Sequence, residues 1–122
     1  METILDTNFI LACVEHKADI SEIDGIIIVP LEVIKELDRI ALSSNRDKKE
    51  QAKVALKIIE SAKDRIKIIE LGNSYVDKGI EDYVTNSKDI VVGSLDKKLL
   101  GKLKGKVKFL SLEARKKFRV VW

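Results

Sequence analysis

The apolar positions alternate between short β-rich runs and longer stretches at helical spacing. ETIL (2–5) reads as a short strand, and Asp6 or Thr7 can cap a helix running to about His16. A helical turn over residues 19–23 stops at Gly25. IIIV (26–29) is a continuous β-branched run, the mark of a strand buried on both faces. Pro30 then stands where a helix favours its first residue, and Val33, Leu37, Ile40 and Ala41 give that helix a core face. SSNRD (43–47) breaks it. A long helix follows to about Lys63, with Ala52, Ala55, Leu56, Ile59 and Ala62 on one side. KIIEL (67–71) is the third strand and GNS (72–74) a turn. Ser74 with Asp77 three residues on reads as a capping box for a helix to about Asn86. DIVVG (89–93) is the fourth strand, LDKKLLGKLK (95–104) a basic helix and VKFL (107–110) the fifth strand. A short turn and an apolar VVW end complete the chain.

Strands and helices alternating in this way predict right-handed βαβ units. The expected fold is α/β: a three-layer α/β/α sandwich around a central, mostly parallel sheet. In such sheets ligands bind beyond the carboxyl ends of the strands, which is where chemistry should be sought.

Length and composition narrow the class. The 122 residues, 45% hydrophobic and 35% charged, suit one globular domain spanning 1–122. No apolar run approaches the ~20 residues of a membrane helix, so no membrane partner is expected. METILDT carries Glu2 and Asp6 where a signal peptide would have a basic and then an apolar segment. Cys13 and His16 are each the sole residue of their type. That removes an internal disulfide, a cysteine-based zinc site and a histidine-pair metalloprotease, and fits a reducing, cytoplasmic setting. Any metal must be held by oxygen.

The net charge of +3 hides an asymmetry. Residues 97–119 hold ten Lys or Arg against the single acid Glu113, while residues 1–96 sum to −6. A basic segment beside an acidic body points to a polyanionic partner, most often nucleic acid; a solvated Lys-rich helix is the alternative. The candidate contacts are Lys97, Lys98, Lys102, Lys104, Arg115, Lys116 and Lys117.

One carboxylate trails each of the first four strands. Asp6 closes ETIL, Glu36 lies two turns into the helix after IIIV, Asp77 follows KIIEL and Asp96 follows DIVVG. In a parallel sheet all four can converge on one edge. Two like charges ~5 Å apart repel by ~3 kcal/mol at an effective dielectric of ~20. Six such pairs approach the whole ~5–15 kcal/mol stability of a small domain. Either some acids protonate or a cation binds, and a hard oxygen set suits Mg²⁺ or Mn²⁺. Singly, each acid also has a plain structural reading. Asp6 and Asp77 can be helix caps, Glu36 a surface residue, and Asp96 a partner of its helix dipole.

ILDTNFI (4–10), VPLEVIKEL (29–37), YVDKGI (75–80) and IVVGSLDKKL (90–99) together resemble the PIN-domain family in order and spacing over nearly the whole chain. The resemblance implies an α/β/α nuclease that binds Mg²⁺ or Mn²⁺ through carboxylates and cleaves RNA. It assigns Asp6, Glu36, Asp77 and Asp96 as catalytic metal ligands, with Asn8 and Ser94 as supporting polar residues. DTNFI, ALKI (55–58), Tyr75 and the basic helix are similar to archaeal and eukaryotic members that process ribosomal RNA in the small-subunit processome. Ribosome-biogenesis factors would then be partners, and a homodimer is compatible with the family. Two positions depart from relatives: Lys78 replaces a frequent second Asp, and Leu95 an Asn common in toxin-type members. Two other readings stand beside the endoribonuclease: an inactive RNA-binding or assembly module, and a VapC-type toxin paired with an antitoxin. With only six aromatic residues, base stacking is expected to be minor. Other α/β classes lack their marks. Asn8 stands where a dehalogenase-like phosphatase needs its second Asp, there is no Gly-rich Lys-Ser/Thr loop, and Glu70 lies within a strand rather than after it as a receiver domain's acceptor would.

Overall fold

The computed structural model describes residues 1–113 and 117–121. Among them, six strands form one sheet: β1 (Glu2–Leu5), β2 (Ile26–Pro30), β3 (Ile66–Ile69), β4 (Ile90–Gly93), β5 (Lys108–Glu113) and β6 (Lys117–Val121). Five α-helices connect them: α1 (Thr7–Glu15), α2 (Leu31–Ala41), α3 (Arg46–Ser61), α4 (Val76–Thr85) and α5 (Lys97–Leu103), with one 3₁₀ turn at Ile20–Glu22. The spatial order is β3-β2-β1-β4-β5-β6, and every pairing is parallel except β5 with β6.

Period-two alternation along the inner strands divides the core. Leu5, Ile27, Val29 and Val91 face a cluster built with Phe9, Ile10 and Cys13 of α1, Val33 and Leu37 of α2, and Ala52, Ala55 and Ile59 of α3. Ile4, Ile28, Ile90 and Val92 face the opposite cluster, built with Ile80 and Val84 of α4 and Leu99 and Leu103 of α5. The fold is therefore the expected α/β/α sandwich. Ile27, Ile28 and Val29 are all fully buried, as their unbroken β-branched run requires. From β1 the sheet grows one way through β2 and β3, and the other way through β4. The strand order thus reverses between β1 and β4, and the crevice at that switch point is where a doubly wound sheet binds ligands.

Four local readings differ from the sequence expectation. Pro30 closes β2, paired with Ile69, and occupies the N-cap of α2 rather than its first turn. The third strand begins at Ile66 and ends at Ile69. Glu70 and Leu71 leave it because the Glu32 carboxylate captures the next amides, accepting from Leu71 N–H at 3.0 Å and Gly72 N–H at 3.0 Å. The Ser74–Asp77 capping box does not form. Asn73 Oδ1 accepts the Tyr75 N–H at 3.0 Å instead, which makes Tyr75 the N-cap of α4. Finally, the chain's end is a true strand, β6, anchored where Phe118 meets Phe9 at 6.4 Å between ring centroids. Its alternate positions are Lys117, Arg119 and Val121, a pattern for an edge strand that also reads as a polar tail.

Candidate active site

Asp6 leaves β1 and enters α1 at once. Its N–H donates to the Gly93 carbonyl at 3.0 Å, prolonging the β1–β4 ladder by one bond. Its Oδ1 accepts the Phe9 N–H at 2.9 Å and so caps α1, while its Oδ2 accepts the hydroxyl hydrogen of buried Ser94. Ser94 Oγ in turn accepts the Asp96 N–H at 3.0 Å. Asp96 caps α5 through one oxygen, Oδ1, which takes the Lys98 N–H at 2.9 Å and the Leu99 N–H at 3.3 Å. Asp6, Ser94 and Asp96 are thus wired together across the switch point by bonds that also start two helices. The capping reading holds for Asp6 but not for Asp77, which lies in the first turn of α4 behind the N-cap Tyr75, while Asp96, read as a partner of its helix dipole, is itself the cap of α5; capping leaves the outer lone pairs of the Asp6 and Asp96 carboxylates available.

Glu36 comes from the second turn of α2 and Asp77 from the first turn of α4. With Asp6, Thr7, Asn8, Ser74, Val76 and Asp96 they line one cavity of about 250 Å³. Larger hollows lie at the amino end of β4 (about 430 Å³) and beside Arg65 (about 540 Å³), but neither carries four carboxylates. All four acids expected from the sequence, and the supporting residue Asn8, therefore line this crevice, Asn8 being exposed. Ser94 does not line it; it is buried and reaches the site through its bond to Asp6.

Burial is the largest influence on Asp6, which is 9% exposed, and it raises the carboxyl's pKa. The bonds from Ser94 and Phe9 oppose this, the charges of Asp96 and Glu36 reinforce it, and the net direction is upward. Asp6 therefore stands where negative charge is already in excess. Among the described residues no three acid side chains stand close enough to enclose an ion as they are placed. Glu36 is partly buried and Asp77 exposed. The donor set fits a hard divalent cation: every ligand atom is oxygen, and a buried carboxylate beside two more needs a positive neighbour. Cys13 takes no part; burial in the core pushes its thiol up to about 12.

Lys78 does not supply that charge. Its ammonium reaches forward along α4, 3.2 Å from Glu81 Oε1 and 3.5 Å from Asp82 Oδ1. Lys97 and Lys98 open α5, exposed and immediately beyond Asp96. Lys102 is 3.6 Å from Glu81 Oε2, and Lys104 caps the far end of α5. Lys117 lines a different hollow, with Glu22 and Asp24. Arg115 and Lys116 lie outside the described residues.

The sequence reading passed over Glu32, whose clamp on Leu71 and Gly72 ties the loop carrying Ser74 to α2. Partial burial alone would raise its carboxyl; the amide bonds outweigh that and hold it below the usual range. Glu32 gave no signal, since an acid in the first turn of a helix is commonplace. Thr7, Ser74 and Val76 were likewise unmarked as lining residues.

The sequence profile described as PIN-like domain matches residues 3–115. Ribonuclease VapC4 of Methanocaldococcus jannaschii is 28% identical over 105 residues, covering 80% of this chain and 79% of that protein. The solved structure of the PIN domain endonuclease Utp24 superposes with a TM-score of 0.76 at 26% identity, covering 98% of this chain and 90% of that one.

Proposed function

The chain belongs to the PIN-like domain family, and from that premise we propose that it is a divalent-metal-dependent endoribonuclease acting as one domain over residues 1–122. One observation carries the reading: four carboxylates from four separate strand–helix connections line a single cavity at the switch point of the sheet. Asp6, Glu36, Asp77 and Asp96 would hold Mg²⁺ or Mn²⁺. Such an ion, when bound, supplies Lewis-acid stabilisation to a phosphodiester and lowers the pKa of water. The chain's own part is positional. Ser94 and the Phe9 amide fix the Asp6 carboxylate, the α5 amides fix Asp96, and the Glu32 clamp holds the loop leading to Asp77. Lys97 and Lys98 offer positive charge to the phosphates on either side of the cut, which gives affinity without sequence readout.

The test is cleavage of RNA in Mn²⁺ by the native chain and by Asp6→Asn and Asp96→Asn. Cleavage falls to background in both variants; undiminished cleavage rejects the mechanism. An inactive module would need a cation such as Lys78 to stand in for the metal, and the engagement of Lys78 with Glu81 and Asp82 speaks against it. No helix among the described residues is long and apolar enough to cross a membrane. For the biological role, we favour processing of ribosomal RNA precursors, as the resemblance of DTNFI, ALKI and Tyr75 implies, supported by a likeness to the PIN domain endonuclease Utp24 that spans 98% of this chain and by the basic last quarter of the chain. The likeness to Ribonuclease VapC4 supports the toxin reading. Growth arrest on expression, relieved by a co-encoded small protein, would decide for the toxin.

A further inference from the structure

We propose that Tyr75 is a stacking platform for one unpaired base of the RNA strand entering the acid-lined cavity, with Leu95 adding apolar surface at the same mouth. The proposal rests on the ribonuclease reading above and deepens it, by making the site selective for a single-stranded nucleotide at one position.

Tyr75 is 72% exposed, an unusual state for a side chain that normally buries most of its ring. Its two chain neighbours, Ser74 and Val76, both line the cavity, so the Tyr75 backbone stands at the rim and carries a largely exposed ring there. The backbone beneath it is fixed. The Tyr75 N–H donates to Asn73 Oδ1 at 3.0 Å, and its carbonyl accepts the Gly79 N–H at 3.0 Å. Local structure gives no reason for tyrosine here. An N-cap favours a short polar side chain, and this one makes no capping bond. Leu95 is 53% exposed and set between Ser94, which bonds Asp6, and Asp96, which lines the cavity. Lys97 and Lys98 follow directly. Residues within two positions of those lining the cavity therefore carry an exposed aromatic ring, an exposed aliphatic side chain and two ammonium groups. Those are the complements of a base, a sugar edge and flanking phosphates. A single aromatic gives one stacked base, which accords with a chain of few aromatics whose affinity is otherwise electrostatic.

The test is steady-state cleavage, in Mn²⁺, of an unpaired oligoribonucleotide, either intact or carrying one abasic nucleotide moved stepwise along the strand. Tyr75→Ala raises KM about tenfold, the worth of one base–aromatic stack, with kcat little changed, whereas Tyr75→Phe stays within about twofold. For the native chain, one abasic position raises KM about tenfold; in Tyr75→Ala that same position adds nothing further. A KM for Tyr75→Ala equal to that of the native chain overturns the proposal, as does an equal abasic penalty in both. If the native chain cleaves no RNA, the ribonuclease reading falls and this falls with it. If it cleaves normally while the Tyr75 variants match it, the platform alone is refuted.

Discussion

Asp6 does two jobs that a single substitution can separate. It caps α1 through Oδ1 and accepts from Ser94 through Oδ2, yet it carries its charge in a buried place beside Asp96 and Glu36. Asp6→Asn keeps the cap, because Asn and Asp cap equally well, and leaves Ser94 a polar neighbour. It exchanges a charge-assisted bond for a neutral one, which costs about 1 kcal/mol. Against that, it removes a charge that burial and two neighbouring carboxylates oppose. Asp6→Ala keeps neither bond: it loses about 1 kcal/mol of cap and leaves the buried Ser94 hydroxyl without its acceptor, a further 1 kcal/mol or more. Both variants remove the charge, so they should differ by about 1 kcal/mol or more, or at least about 4 °C in Tm for a chain of this size. In EDTA at pH 7, Asp6→Asn should melt at or above the native chain and Asp6→Ala well below Asp6→Asn.

The pH dependence follows from the upward shift of Asp6. Below the ordinary value of 3.8 the carboxyl is neutral in folded and unfolded chains alike. As pH rises through the elevated folded value, the unfolded chain ionises first and stability is lost. The advantage of Asp6→Asn over the native chain should therefore shrink on acidification toward pH 4. Thermal melts across this range are the assay. The reasoning is refuted if Asp6→Asn at pH 7 is 2 kcal/mol less stable than the native chain, or if it matches Asp6→Ala.

Glu32 has the opposite sign. Its folded pKa is lowered, so its stabilisation is present above the ordinary 4.5 and is lost as pH falls through the folded value. Glu32→Gln should melt below the native chain at pH 7 and approach it in acid, and limited proteolysis should cut faster near residues 71–75. Gly93→Ala would place a methyl 2.6 Å from Leu5 Cδ2 and 3.2 Å from the Phe9 ring, at the strand end that accepts the Asp6 N–H. Overpacking of this kind costs about 1–3 kcal/mol, measurable by urea denaturation, and cleavage should fall with it. Lys97→Ala with Lys98→Ala should weaken single-stranded RNA binding alike for all sequences and flatten the plot of log Kd against log salt by about 0.7 per lysine. An unchanged salt slope would remove those lysines from the phosphate path.

The sandwich was legible because its inner strands have little choice. IIIV can satisfy three fully buried β-branched residues only between two helical layers, and the 3.6-residue stripes of α2 and α3 supply one of them. The meeting of the four acids was legible for a related reason: Asp6 and Asp96 stand within three residues of their strand ends, and Glu36 and Asp77 in the first two turns of helices that leave the same carboxyl edge. Competing local bonds set what was missed. Asn73 displaces Ser74 as the organiser of the α4 start, and Glu32, remote in sequence, decides where β3 ends. β6 is an edge strand whose partner is β5, and the packing of Phe118 on Phe9 depends on that long-range pairing rather than on local pattern. Lys78 looked like a competitor for the metal site by position, yet acids one turn further along its own helix hold it.

Calorimetric titration of the native chain with Mn²⁺, repeated on Glu36→Gln and Asp77→Asn, bears most directly on whether the four acids act together. Saturable uptake by the native chain, weakened about tenfold or more in each variant, is the expected result. No uptake at millimolar Mn²⁺, or uptake indifferent to Glu36 and Asp77, would contradict a shared metal centre.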